Sequence, residues 1–253
     1  MASATGIPEQ SPVAIGGNDE QEPLLGRPGD VSQKEGQALV TNLVTEYADN
    51  VHTGSATIAQ AGIWILAALV WNGVFSHELI FFSPHPLLNS AAILLTTQAI
   101  LILQPTHTPS QKRSGTLAHF GLLAVANLCF VSALIIIEIN KAPHPEYRLH
   151  SVHGIMGLIT YIFIFLQALV GAAQYFYPTF AFGSVDNGKK IYKYHRVSGY
   201  VLLVLELATV SAATQTDYNM TTLHIKLWAV LVAAVLVLAG VGARIKKQKM
   251  KIF

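Results

Sequence analysis

Cysteine, charge and an export leader are what this 253-residue sequence has least of. It holds one cysteine, Cys129, inside an apolar run, so an intrachain disulfide and a thiolate metal cluster are both excluded. With no Cys-x-x-Cys-His motif, covalent haem attachment is excluded too. Only 12% of the residues are charged, against about 25% in ordinary soluble domains. The N-terminus shows no basic start followed by an apolar stretch, so no signal peptide is read there. A net charge of +2, with basic residues scattered over loop ends, gives no reason to expect nucleic acid.

What remains is apolar. Hydrophobic residues make up 52% of the chain, and the mean hydropathy is +0.45. Six apolar segments lie near 57–76, 86–103, 117–138, 154–175, 198–214 and 223–243. Each approaches the ~20 residues that a helix needs to cross a bilayer. Backbone groups meet no water in that interior, so the segments are expected to be helices. The expected fold is an all-α membrane protein of six transmembrane helices. Its parts are a disordered tail over 1–55, a membrane domain over 56–243 and a basic tail over 244–253. Within the first tail, Glu20-Gln21-Glu22-Pro23-Leu24-Leu25 resembles an acidic dileucine address, which suggests a vacuolar or endosomal membrane.

Loop charge sets the expected orientation. With the N-terminus in the cytosol, eleven cations outside the N-terminal tail fall on that side: Lys112, Arg113, Lys189, Lys190, Lys193, Arg196, Arg244, Lys246, Lys247, Lys249 and Lys251. Only three, Lys141, Arg148 and Lys226, fall opposite. The positive-inside rule then places both termini in the cytosol. Asn219-Met220-Thr221 forms a glycosylation sequon on the lumenal side.

Four consecutive apolar segments open with a histidine: His85, His119, His153 and His195, spaced by 34, 34 and 42 residues. An ionisable residue at the membrane edge is costly and points to function. Successive helices run in opposite directions, so the four alternate between faces. His85 and His153 form a lumenal pair, and His119 and His195 a cytosolic pair. Two imidazoles at one depth on different helices suit the two axial positions of a haem iron, enclosed by an apolar bundle. Two haem b sites are expected, one near each face. The competing reading is a non-enzymatic transporter of metal ions or protons using the same histidines. That reading fits less well, because such sites commonly add carboxylates, and Glu206 is the one acid near the centre of a segment. A third reading is a monohaem relay that passes electrons to a partner subunit. Gly154, Gly157, Gly171 and Gly199 are read as close-packing positions, with Gly154 and Gly199 placed to leave room for a porphyrin. His52, His77, His107 and His224 lack matching partners and are read as solvated or interfacial.

The wording around these histidines resembles the cytochrome b561 family. The matching pieces are Pro84-His85-Pro86-Leu87-Leu88, Gln98-Ala99-Ile100-Leu101, Leu117-Ala118-His119, His150-Ser151-Val152-His153-Gly154, Tyr177-Pro178 and Lys193-Tyr194-His195-Arg196-Val197-Ser198-Gly199-Tyr200. The likeness covers about 64–243 and is nearest to the small stand-alone reductases of that family. It implies an oxidoreductase that passes electrons from cytosolic ascorbate, through two haems, to monodehydroascorbate or a ferric chelate across the membrane. It puts the axial ligands on His85, His119, His153 and His195. A homodimer is compatible with it. Well-known members carry an arginine at the cytosolic end of the second helix, where this chain reads Leu103-Gln104-Pro105. Cations for a donor are instead expected from Lys112, Arg113, Lys189, Lys190, Lys193 and Arg196, which would attract an anion. Asn140, Lys141, His144, Arg148 and His150 are the candidates for holding the acceptor.

Overall fold

The computed structural model describes residues 51–250 except 53 and 107. The N-terminal tail with its dileucine, His107 and Lys251 therefore lie outside the described residues. Among the described residues every regular element is helical. The main helices are α1 (Ala56–Phe75), α2 (Pro84–Leu103), α3 (Pro109–Lys141), α4 (Val152–Phe176), a short α5 (Pro178–Phe182), α6 (Val185–Ala213) and α7 (Leu227–Gly242). Five of these, α1 to α4 and α6, are long and apolar enough to cross a membrane, and α7 is an apolar helix of 16 residues. The chain is a multi-pass integral membrane protein.

Two helices run well beyond their apolar segments. α3 has 33 residues and α6 has 29, or about 50 Å and 44 Å at 1.5 Å per residue, against a bilayer core of about 30 Å. Their polar first turns are held by good caps. Thr108 accepts from the Gln111 amide while Gln111 Oε1 accepts from the Thr108 amide, and Pro109 at the first helical position has no N–H to lose. Ser184 accepts from the Asn187 amide at the head of α6, and Ser151 does the same for Gly154 in α4. His119 and His195 thus stand about three turns inside their helices. Only His85 and His153 lie in a first turn.

The sixth segment also differs from expectation. Helix α7 begins at Leu227, because a π turn at Asn219–Leu223 ends in a left-handed His224 with φ 54°. Asn219 holds that turn. Its buried amide donates to Thr214 O at 2.8 Å and Ile225 O at 3.0 Å, and its Oδ1 accepts from the Ile225 amide. The sequon asparagine is therefore a structural staple.

Packing divides the bundle into three pairs: α2 with α3, α4 with α6, and α1 with α7. The last pair touches backbone to backbone. A Cβ on Gly62 would lie 2.6 Å from Ala233 O, and one on Gly240 would overlap Ala59. In contrast, the α2–α3 and α4–α6 pairs meet only sparsely. Large apolar side chains such as Leu128, Phe163, Leu169 and Val235 face outward, as lipid requires, while Gln60, Ser90, Thr97 and Gln98 are buried inside.

Candidate functional site

The sparse contact between the α2–α3 and α4–α6 pairs is where the histidines stand, one from each side. His85 on α2 faces His153 on α4, with ring centroids 6.5 Å apart and planes at 86°. A ligating imidazole nitrogen sits about 2 Å from its metal with the ring centre about 1 Å farther back, so two rings on one ion stand about 6 Å apart. The spacing leaves room for one ion and little else along that axis.

His119 on α3 and His195 on α6 line a common cavity of about 680 Å³. Its walls include Phe120, Phe130, Phe165, Leu202 and Gly171. Gly171 is required there, since a Cβ would lie 2.9 Å from His195 Cε1. Gly154 has no such role: the nearest atom to its Cβ is Ser151 Oγ, in its own turn, at 3.4 Å. A Cβ on Gly199 would press on Gln167 Nε2 at 3.0 Å.

Three of the four imidazoles are oriented by a backbone carbonyl. Nδ1 of His85 donates to Ala133 O (3.0 Å), that of His119 to Ala99 O (2.8 Å) and that of His153 to Thr209 O (2.9 Å). A carbonyl only accepts, so the proton sits on Nδ1 and Nε2 keeps its lone pair for a metal. These carbonyls follow one rule: each lies 14 residues beyond the histidine of its own helix (99 − 85 = 133 − 119 = 209 − 195). Paired antiparallel helices thereby hold each other's histidine. Fourteen residues rise about 21 Å, which is the depth difference between the two sites. By that rule His195 would use the carbonyl of Gln167, but its Nδ1 is buried without a partner. Gln167 instead donates its side-chain amide to His195 O at 2.6 Å and accepts from Ser198.

The donor set speaks to the chemistry. Among the described residues no three histidine, cysteine or acidic side chains converge on one point. Each site thus offers two imidazoles and an apolar wall, which suits a macrocycle that brings its own four equatorial nitrogens. At both sites the facing imidazoles and the gap between helix pairs fit a haem, and at the His119/His195 site Gly171 also leaves the space that a side chain would fill. Glu206 lines the His119/His195 cavity from the deep side, fully buried, with Oε2 unpartnered.

The expected donor-side cations separate into two groups. Lys112, Lys189 and Arg196 line the cavity of His119 and His195, whereas Arg113, Lys190 and Lys193 do not. Lys189 also meets Asp186 at 3.1 Å, Lys190 donates to Asn187, and Lys193 stacks over the Tyr194 ring. Two further cations on the cavity, Arg244 and Lys246, were expected only to set topology. On the opposite face, Asn140 and His144 are exposed, Lys141 donates to Tyr147 O, and Arg148 pairs with Glu138 at 3.2 Å. His150 is exposed and precedes the Ser151 cap, outside α4.

A family model described as eukaryotic cytochrome b561 matches residues 84–221, more than half of the chain. No curated protein matches it.

Proposed function

Since the chain belongs to the cytochrome b561 family, whose members transfer electrons across membranes by way of haem, we propose that it holds two b haems and reduces an acceptor on the far side at the expense of cytosolic ascorbate. The observation that carries the reading is the two-sided arrangement of the histidines. His85 with His153, and His119 with His195, each take one imidazole from either helix pair, about 21 Å apart in depth. The haem supplies reversible one-electron chemistry when bound, and the protein supplies orientation and a dry enclosure. His85, His119 and His153 are pre-set as the Nδ1–H tautomer, so their Nε2 atoms need no rearrangement to ligate.

In this reading Lys112, Lys189 and Arg196 draw an anionic donor to the His119/His195 cavity. Both termini are cytosolic, on the balance of loop charge, and monodehydroascorbate or a ferric chelate meets the His85/His153 side. Asn140, Lys141 and His150 would flank that acceptor. The dileucine-like stretch of the tail is the ground for proposing a vacuolar or endosomal membrane.

Haem extraction from purified protein tests the reading directly. About two non-covalent b haems per chain are expected, with low-spin bis-imidazole spectra. Colourless protein produced with ample haem would overturn it, and a ratio near one would remove one pair.

A further inference from the structure

The cavity of His119 and His195 is bordered by cations that the matched family segment does not contain. Arg244 and Lys246 follow α7, beyond residue 221, yet both line the cavity with Lys112, Lys189 and Arg196. All five are half-buried, and Glu206, the one acid among the cavity's described lining residues, lies eleven residues deeper along α6 than His195. The segment that carries Arg244 and Lys246 is fixed. Buried Gln104, at the end of α2, donates to Val241 O at 3.0 Å and to Tyr200 Oη at 3.2 Å. Val241 O is among the last carbonyls of α7, which lack a partner within the helix. The Arg244 amide also donates to Val241 O, Lys246 Nζ reaches Thr106 O at 3.5 Å, and the turn Lys247–Met250 packs on α6. These contacts fold the C-terminal segment across the mouth of the cavity.

We infer that Arg244 and Lys246 complete a binding site for a small planar organic anion at this mouth, and that Gln104 is the residue that positions them. The inference rests on the donor side proposed above and adds residues to it. A guanidinium offers parallel N–H groups to an enolate or carboxylate, and an ammonium adds a point charge. Five cations around an apolar recess focus their field inward, where an anion would meet the edge of the site. Partial burial pushes the Arg244 guanidinium down from its ordinary value, and a bound anion offsets that cost. Gln104 ties the end of α7 to the end of α2, and so holds the segment with Arg244 at the cavity.

The test uses purified holoprotein and reads binding apart from electron transfer. Ascorbate is titrated calorimetrically into protein already fully reduced, so that only association occurs. Arg244→Gln/Lys246→Gln should raise the dissociation constant about tenfold, and Gln104→Leu by a smaller factor, with haem content unchanged. In stopped-flow reduction, the double variant should raise the KM for ascorbate by a similar factor and flatten its salt dependence, with the limiting rate kept. Reduction by an uncharged quinol should be unaffected. Wild-type affinity in the double variant overturns the inference, and so does equal slowing with the quinol, which marks a disturbed haem pocket. Wild-type protein that binds ascorbate without being reduced by it would sink the donor reading and leave the anion site standing.

Discussion

At Gly171 a single methyl group is set against a whole cofactor site. A Cβ there would lie 2.9 Å from His195 Cε1, closer than such contacts occur. The His195 ring has no carbonyl on Nδ1 to hold it, so it is the group that would swing away. Gly171→Ala is therefore expected to empty the His119/His195 site and spare His85/His153, taking haem from about two per chain to about one. Gly157→Ala is the control. Its nearest foreign atom, Thr209 Cγ2, is 4.0 Å from the built Cβ, and haem content should not change. A pyridine haemochromogen assay on both proteins reads the difference. The sequence singled out four glycines and put Gly154 and Gly199 beside the porphyrin. Gly171 is instead the one set against a candidate ligand, because small size is visible in a sequence and the neighbour across the bundle is not.

Helices α1 and α2 are joined by a buried amide pair. Gln60 Nε2 donates to Gln98 Oε1 at 2.6 Å, and Gln98 Nε2 returns a bond to Gln60 Oε1 at 2.9 Å. Both side chains lie in the interior, where an unmet amide costs about 1–3 kcal/mol. Gln60→Leu should lower stability by about that amount, since Gln98 is left behind. Gln60→Leu/Gln98→Leu should recover part of it, because the amide pair is then gone from both sides while Val51 O, which also accepts from Gln60, loses that donor. Thermal unfolding in one detergent at fixed haem loading measures both. Gln98 precedes Ala99, whose carbonyl orients His119, so the pair also steadies a ligand's support. The elements themselves were legible in the sequence as apolar runs, and the helical fold follows from what a bilayer demands of a backbone. The ends were not. An apolar run marks where lipid begins and ends, whereas Pro109 and Val185 start helices in polar sequence by capping. The same limit displaced His150, which the Ser151 cap shuts out of α4, and hid Arg244 and Lys246, whose place depends on how Gln104 ties the end of α7.

Over the whole molecule, direction is the property that two stacked sites create. The histidines were readable as pairs because antiparallel helices alternate their ends between faces, and the structure brings His85 to His153 and His119 to His195. With cations gathered at the His119/His195 cavity, the proposed function has cytosolic ascorbate meet that site first. His85→Ala and His119→Ala, each in vesicles with cytosolic ascorbate and a ferric chelate inside, should both abolish reduction of the chelate, since either loss interrupts the path. They should differ in the haem that stays. His85→Ala should retain one that ascorbate reduces quickly. His119→Ala should retain one reduced slowly or not at all, because the remaining site lies a further ~21 Å from the donor with no carrier left between them. Haem content measured on the same vesicles guards against partial retention by the remaining ligand. Fast reduction confined to His119→Ala would reverse the orientation, placing the termini and the cationic cavity away from the donor.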